Sequence, residues 1–274
     1  MENLKIAFCF SGQLRTWEYC SENWNKFINK FNVQPDIFTH FWDFNTNSQR
    51  FIPIDDSPTQ ISDEEIQKYL NFYRPKKSKI DKYDVLNKIN INYHNIRDRK
   101  KIEGENVISN INWMMPQFYS LNMSTLLKRE YEIENNFQYD VCFKLRNDVI
   151  LDEQSMNHIM NLDLSNPTGK QKIYVIHSQV KGGEPSRIGD MMFFGNSMVF
   201  DMVSEFYNRL PSINIINNGY PPEVYLGYYV RSLLIPHVET YLNLKVIRDN
   251  KHKEIMDTEK LEPYDIDEFI KNDE

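Results

Sequence analysis

The chain has 274 residues, of which 41% are apolar and 26% are charged. This length fits one large domain or two small ones, and the composition excludes wholesale disorder, collagen and coiled coil. The formal net charge of −7 argues against a general nucleic-acid binder. No apolar run approaches the roughly 20 residues that a membrane span needs, and the odd cysteine count, 3, favours a reducing compartment. We therefore expect a soluble, cytoplasmic protein.

The predicted elements begin with a strand, a helix and a second strand. Residues 5–10 form a continuous apolar run that ends at Ser11 and Gly12, which is typical of a buried strand followed by a tight turn. Residues 16–31 space their aromatic residues at helical intervals, and residues 36–42 predict a second buried strand. This order predicts a βαβ unit at the start of an α/β domain.

A short helix and a strongly basic stretch follow. Ser62 and Glu65 have the spacing of a capping box, which predicts a helix from 62 to about 73 that Pro75 closes. Residues 74–101 contain ten Lys or Arg and three Asp. This stretch is interpreted either as a solvated, mobile excursion or as a positive rim that faces an anionic ligand.

The second half of the chain continues the alternation of helices and strands. Predicted helices cover 113–135, with Pro116 in the first turn, 197–210 behind a Ser cap and 221–234. Predicted strands cover 139–151, interrupted at residues 146–148, and 172–177, 190–194 and 241–247. Residues 251–274 carry nine acids and four bases, and we interpret them as a surface tail. The sequence predicts one α/β domain over residues 1–250, with a mixed, mostly parallel central sheet flanked by helices.

The first candidate for chemistry lies at the end of the strand predicted at 139–151. Apolar residues there give way to Arg146, Asn147 and Asp148, which a purely structural strand does not require. Side chains at strand ends commonly contact ligands in α/β sheets, so Asp148 could hold Mg²⁺ or Mn²⁺ beside a substrate phosphate. The alternative is a surface ion pair between Arg146 and Asp148, which would contribute little stability.

A second candidate follows the first strand, where the sequence reads SGQLR at residues 11–15. Backbone amides at a turn together with Arg15 could contact a phosphate, although the P-loop and dinucleotide fingerprints are absent and a plain turn is the alternative. Asp190 could act as a base or bind a sugar hydroxyl, or it could simply begin a strand. Glu223 could complement a helix dipole, and His237 could ligate a metal or be an ordinary core or surface histidine.

The ordered set of motifs resembles a known family. The set is SGQLR, DIFTHFWD, QFYSLNMSTLLK, YDVCFKLRNDV, GDMMFFG and PPEVYLGYYV. It is similar to bacterial and large-virus glycosyltransferases of the WavE-like lipopolysaccharide-synthesis type, over roughly residues 4–240. The resemblance implies a GT-A (Rossmann-like) nucleotide-sugar transferase fold.

The resemblance also implies roles for particular residues. Where GT-A enzymes have a metal-binding D-x-D, this chain reads Arg-Asn-Asp, so only the last Asp is retained. The implied sites are metal ligands Asp148 and His237 for Mn²⁺ or Mg²⁺; a donor pocket of Gly12, Gln13, Arg15 and Arg146 flanked by His40, Trp42 and Asp43; Gln117, Tyr119 and Ser120 near the donor; and Asp190 and Glu223 as acceptor-binding or catalytic carboxylates.

The expected activity is transfer of a monosaccharide from a UDP- or GDP-sugar to a glycan or lipid-linked acceptor, assisted by a divalent metal. An alternative is a nucleotide- or glycan-binding module with degraded catalysis, because the D-x-D is incomplete. A sulfo- or phosphotransferase is a third hypothesis, which the missing P-loop lysine weakens. The sequence leaves open whether the chain forms a homo-oligomer, and no nucleic-acid partner is expected.

Overall fold

The computed structural model describes residues 4–45, 59–82, 85, 111–164, 172–177, 188–210 and 222–247. The strands are β1 (Ile6–Gly12), β2 (Asp36–Trp42), β3 (Phe44–Asn45), β4 (Thr59–Gln60), β5 (Lys77–Asp81), β6 (Val141–Leu145), β7 (Val149–Leu151), β8 (Ile173–His177), β9 (Ile188–Gly195), β10 (His237–Thr240) and β11 (Leu244–Val246). The helices are α1 (Trp17–Ile28), α2 (Asp63–Tyr73), α3 (Ile111–Asn135), α4 (Glu153–Asn161), α5 (Ser197–Ser204), α6 (Phe206–Arg209) and α7 (Pro222–Ser232).

A seven-stranded sheet organises these elements, in the order β10-β8-β9-β6-β1-β2-β5. The neighbouring pairs are parallel except at β9, which runs antiparallel to both β6 and β8. This mixed, mostly parallel sheet with helices around it confirms the predicted fold class. The carboxyl ends of β1, β2 and β6 therefore meet at one edge, where ligands bind in sheets of this type. Because β9 runs the other way, its first residues reach the same edge.

The sheet is buried on both faces, which explains why β1 is a continuous apolar run. Phe8 and Phe10 pack in one cluster with α1 and α2, whereas Ala7 and Cys9 pack in another with α3, α5 and α7. Phe8 stacks on Phe27 with ring centroids 5.6 Å apart. The three cysteines of the chain are buried free thiols.

Several predicted boundaries change in the structure. β1 runs through Gly12, so Ser11 and Gly12 belong to the strand and not to a turn. The strand predicted at 139–151 is divided: β7 leaves the main sheet and pairs with β11. The helix predicted at 197–210 is two helices, and the N-cap is Asn196, whose side chain accepts from the amide of Val199.

The basic stretch is also different from its prediction where the structure describes it. Residues 77–81 are not an excursion but strand β5, which pairs with β2 at the edge of the sheet. Residues 83–84 and 86–101, and the predicted tail 251–274, lie outside the described residues. Among the described helices, none has both the length and the apolar character that a membrane span requires.

A buried ion cluster fixes α3 against the sheet. Lys128 is fully buried, and its ammonium lies 2.9 Å from Glu132 Oε2 and 2.8 Å from Asp201 Oδ1. It also donates to the Ser197 hydroxyl. Glu132 Oε1 accepts from the Tyr139 amide at 2.8 Å and from the Ser197 hydroxyl at 2.7 Å. The cluster therefore joins α3, α5 and the segment that leads into β6.

Replacing Lys128 by Met should destabilise the protein by about 3–5 kcal/mol, because the buried Glu132 carboxylate loses its cation and the partly buried Asp201 carboxylate keeps only Arg129. Urea unfolding monitored by far-UV circular dichroism measures this loss. The matched control is Lys77→Met, which removes an exposed lysine that pairs with Glu130 and Glu134 of the same helix. Its loss should be much smaller because water screens exposed ion pairs. Equal losses in the two variants would contradict the role given to the cluster.

Candidate functional site

Two arginines converge on one carboxylate at the carboxyl edge of the sheet. Arg146 donates to Asp148 through Nε at 2.9 Å and Nη2 at 2.8 Å, and Arg15 donates through Nη1 at 2.7 Å. The Asp148 residue is only 3% exposed. We call these three side chains the Arg–Asp–Arg cluster. It joins the segment after β1 to the segment after β6, which the sequence separates by 133 positions.

Electrostatics favour the charged forms of Asp148 and Arg146. Burial by itself would raise the pKa of Asp148, but the neighbouring Arg146 and Arg15 hold that pKa well below its usual range. Burial would lower the pKa of Arg146, and the carboxylates of Asp148, Asp190 and Glu223 more than offset it. Arg146 therefore lies within electrostatic range of both carboxylates that the sequence predicts to be catalytic.

Backbone contacts hold the turn that carries Arg146 and Asp148. The carbonyl of Arg146 accepts from the indole of Trp24 at 3.1 Å, and the carbonyl of Asp148 accepts from the amide of Ile247 at 2.7 Å. Between them, the side-chain oxygen of Asn147 accepts from the Tyr69 hydroxyl at 2.8 Å. The segment after β6 is thus bonded to α1, α2 and the end of β11. These bonds fix the backbone from which the side chains of Arg146 and Asp148 extend.

The segment after β1 is held in a comparable way. Arg15 has a φ of 47°, a left-handed conformation that a non-glycine residue adopts only with support. Its amide donates to Asn45 Oδ1 at 2.8 Å, and its Nε donates to Gln13 Oε1 at 2.9 Å. The structure therefore brings Gln13 and Arg15 together with Arg146 and Asp148, as the sequence predicts.

Asp190 lies at the start of β9, on the same edge. Its Oδ2 accepts from the side-chain amide of Gln117 at 2.5 Å, and its carbonyl accepts from the ammonium of Lys144. Glu223 lies in the first turn of α7 and acts on Arg146 electrostatically. Three residues from separate sequence motifs therefore lie near Arg146 or its neighbours: Gln117, Asp190 and Glu223.

Lys144 is a buried residue of this neighbourhood that the sequence analysis did not select. It is 1% exposed, and burial lowers the pKa of its ammonium to about 7, although Asp190 acts in the opposite direction. The sequence does contain a signal for this residue, because a lysine interrupts the apolar run VCFKL at residues 141–145. Asp81 at the end of β5 gave no such signal, because it lies among many other charged residues.

A buried relay connects β5, β2 and α3 to the end of β1. His40 Nε2 lies 3.0 Å from Asp81 Oδ2, and His40 Nδ1 lies 2.8 Å from Ser120 Oγ. Ser120 Oγ accepts from the Gly12 amide at 2.7 Å, and the Tyr119 hydroxyl donates to Asp81 at 2.8 Å. Burial lowers the pKa of His40 despite the carboxylate beside it, so the ring is neutral at physiological pH. The relay positions Gly12, whose φ of 115° suits glycine.

Some residues predicted to contact the donor are placed in the core instead. Trp42 is 1% exposed and packs against the Tyr119 ring at a centroid distance of 5.5 Å, and Ser120 is fully buried. Asp43 accepts from the side chain of Gln60 at 3.0 Å. Trp42 and Ser120 support the edge of the sheet from within, which corrects their predicted role as surfaces for a ligand.

The predicted metal pair of Asp148 and His237 does not meet. His237 begins β10 and pairs with Ile173, at the amino ends of these strands, whereas Asp148 follows the carboxyl end of β6. Three strand spacings of about 4.8 Å also separate β10 from β6. The two residues therefore cannot bind one ion. The part of the chain that the structure describes contains no group of three His, Cys, Asp or Glu residues that could hold a metal.

A groove of about 1260 Å³ lies elsewhere on the protein. It is lined by the carboxyl-terminal part of α3 together with α5, α6 and α7, and its charged residues include Arg129, Asp201 and Glu205. Arg129 and Gln117 are separated by about 18 Å along α3, from the helical rise per residue. The groove is therefore distinct from the neighbourhood of the Arg–Asp–Arg cluster.

Comparisons with known proteins give distant structural similarities. No protein-family model matches the chain, and no curated protein sequence matches it. One similar structure is a glycosyltransferase involved in the glycosylation of the major capsid of PBCV-1, at 10% identity over 86% of this chain and 81% of that chain, with a TM-score of 0.38. Mouse xyloside xylosyltransferase 1 is 7% identical over 88% of this chain and 85% of that chain, with a TM-score of 0.43.

A third similar structure is described as a glucose-1-phosphate thymidylyltransferase from Bacillus anthracis. It is 7% identical over 95% of this chain and 98% of that chain, with a TM-score of 0.41. Because these TM-scores are below 0.5, the function is argued from the residues of this chain.

Lys144 provides a test of the electrostatics of this neighbourhood. Its folded pKa of about 7 lies below the usual lysine value, so between pH 7 and about 10 the unfolded chain binds more protons than the folded one. Wild-type stability relative to a Lys144→Met variant should rise across this window, by up to about 1.4 kcal/mol per pH unit. Urea unfolding at pH 6.5, 8.0 and 9.5 measures the difference. A constant difference across the three values would show that the ammonium keeps its ordinary pKa.

Proposed function

We propose that this protein is a glycosyltransferase that moves a monosaccharide from a nucleotide-diphosphate sugar to a glycan acceptor. The observation that supports the proposal is that Asp148 pairs two cations, Arg15 and Arg146, at one edge of the sheet, where Asp190 and Glu223 are near enough to raise the pKa of Arg146. Glycosyl transfer from such a donor needs both kinds of group: cations for the departing diphosphate and a carboxylate for the reacting sugar or the incoming hydroxyl.

The two arginines stabilise the leaving group of the reaction. As the bond between sugar and phosphate breaks, negative charge develops on the nucleoside diphosphate. A guanidinium stabilises that charge with paired N–H donors, and a preorganised one does so without rearrangement during the reaction. Asp148 provides the preorganisation, since it bonds to both Arg15 and Arg146 and is itself almost completely buried.

The two carboxylates act on the sugar and on the acceptor hydroxyl. Glycosyl transfer passes through a state with oxocarbenium character, which a nearby anion stabilises. If the reaction inverts the anomeric centre, Asp190 or Glu223 removes the proton of the incoming hydroxyl. Gln117 restrains the Asp190 carboxylate in one orientation through its amide. A retaining reaction would not need the base.

The finer features of the proposal rest on the sequence resemblance. They are a UDP- or GDP-sugar donor, a glycan or lipid-linked acceptor in polysaccharide synthesis of the lipopolysaccharide type, and a cytoplasmic location. The proposed assistance by Mn²⁺ or Mg²⁺ has no support from the donor atoms described above, and no step of the mechanism uses a metal.

A second candidate is a nucleotide- or glycan-binding module without catalysis. The observation that favours it is the pairing of Asp148 with two arginines, which occupies the one acid that remains of the D-x-D pattern. Hydrolysis of the donor separates the candidates. The transferase should release sugar slowly to water, whereas the module should be stabilised thermally by its ligand without turnover.

Asp190→Asn and Glu223→Gln test the carboxylates. The variant that removes the base of an inverting reaction should lose about 10²–10⁴-fold in donor turnover while its affinity for the donor changes little. Liquid chromatography of a panel of UDP-, GDP-, CMP- and dTDP-sugars measures turnover, and thermal shift measures binding. The control is Glu130→Gln, an acid-to-amide change at an exposed position of α3. Full turnover in both site variants would refute the assigned base, and binding without turnover in the wild type would favour the module.

A further inference from the structure

Guanidinium groups take three of the roughly four acceptor sites of the Asp148 carboxylate, including both sites on Oδ2. Oδ1 accepts from Arg146 Nε at 2.9 Å, and Oδ2 accepts from Arg146 Nη2 at 2.8 Å and Arg15 Nη1 at 2.7 Å. A Mg²⁺ ion binds carboxylate oxygens at about 2.0–2.1 Å and demands near-ideal octahedral geometry. To bind Oδ2, or both oxygens together, such an ion would have to displace an arginine from a buried charge pair.

Displacing an arginine is unfavourable for an electrostatic reason. The pKa of Asp148 lies well below its usual range because Arg146 and Arg15 together overcome the desolvation of the carboxylate. Removing one partner from a buried ion pair leaves charge without compensation. A divalent cation at the same oxygens would, in addition, lie beside two guanidinium cations and be repelled by both. The two guanidinium groups therefore oppose a metal at these carboxylate oxygens.

The other acidic and imidazole groups near the site do not assemble a metal centre either. His237 lies at the opposite end of the strands. Asp190 Oδ2 accepts from Gln117, and its carbonyl accepts from Lys144. Across the ranges that the structure describes, no three His, Cys, Asp or Glu residues form a potential ion site.

The arginines are nevertheless arranged to bind an anion. A guanidinium has five N–H donors, and Arg146 uses its Nε and Nη2 groups on Asp148 while Arg15 uses Nη1. Each guanidinium therefore has N–H groups beyond those that bond to Asp148. Each arginine side chain is also 13% exposed, compared with 4% for the carboxylate between them. What this cluster presents to a ligand is therefore cationic.

We infer that this site binds the diphosphate of a nucleotide sugar through Arg15 and Arg146 and that it does so without a divalent cation. The inference rests on the proposed function, because it assigns the chemistry of donor binding in the same site. In it, Asp148 is a positioning residue, which holds the two guanidinium groups at a fixed separation and does not touch the donor.

Isothermal titration calorimetry of the full chain with UDP and with GDP tests the inference. One series contains 1 mM EDTA and the other contains 1 mM MnCl₂, chosen on the order of the affinities of weak metal sites. The expected result is binding of one nucleotide in EDTA, with an affinity within about threefold of that in Mn²⁺ and a decrease as salt rises. Binding that requires Mn²⁺ would overturn the inference and leave the proposed function standing. If neither nucleotide, nor CMP or dTDP, binds in either series, the proposed function itself fails.

Variants separate the guanidinium chemistry from a general loss of structure. Arg146→Lys keeps a positive charge but loses the planar fork, and it should weaken nucleotide binding in EDTA by about tenfold or more. Asp148→Asn keeps an acceptor for the arginines and should weaken binding equally with and without Mn²⁺. If Asp148 were a metal ligand, the loss would appear only in the Mn²⁺ series, and that result would refute the positioning role.

The matched control for these variants is Arg129→Lys. Arg129 lines the separate groove, where it pairs with Glu205 at 3.2 Å, and its substitution should leave nucleotide affinity unchanged. Far-UV circular dichroism and the midpoint of thermal unfolding identify any variant that fails to fold. Unchanged affinity in a folded Arg146→Lys variant would contradict the inference.

Discussion

The salt bridges of Asp148 to Arg15 and Arg146 set the geometry of the candidate site. A carboxylate that is 3% exposed has lost nearly all of its hydration, which by itself favours the neutral acid. The two guanidinium groups reverse that preference and keep the acid ionised. In return, the carboxylate fixes two long side chains that originate from different strands. The charge of Asp148 therefore depends on the two arginines, and the separation of the arginines depends on Asp148.

The same constraint explains how the sheet ends at this position. β6 could continue past Leu145 only if the following side chains kept alternating between two apolar faces. Arg146 and Asp148 instead bond to each other, while the backbone between them bonds to Trp24 and Ile247. The chain therefore turns, and β7 pairs with β11 in a separate two-stranded sheet. The interruption that the sequence predicts at residues 146–148 thus separates two strands, and the second of them leaves the main sheet.

How much of this could be read from the sequence depends on the range of the interactions. Both faces of β1 and β2 are buried, so their apolar runs are local signals, and the polar interruption at Arg146 and Asp148 was equally visible. Strand order is not a local property. No pattern within a segment could show that Arg15 reaches Asp148, or that β9 and β8 separate β10 from β6 and so keep His237 away from the site.

Burial is the second property that the sequence did not reveal, and it changed the meaning of several residues. Trp42 and Ser120 belong to motifs that suggest contact with a ligand, yet both side chains are buried in the core. A surface role cannot be separated from a supporting role by residue type alone, because the same indole or hydroxyl serves both. The relay from Asp81 through His40 to Ser120 joins residues from three elements, and Ser120 accepts from the amide of Gly12 at the end of β1.

Lys144 connects the charge of the site with its protonation. Its ammonium donates to the carbonyl of Asp190. Burial lowers its pKa to about 7; Arg146 lowers the pKa further, and the Asp190 carboxylate partly offsets both effects. An anion that binds at Arg146 would neutralise a cation that now opposes the charged form of Lys144. By linkage, such binding would raise the pKa of Lys144 and take up protons near neutral pH. The affinity for an anion would then depend on pH through Lys144, whereas the guanidinium groups would contribute equally at every pH in this range.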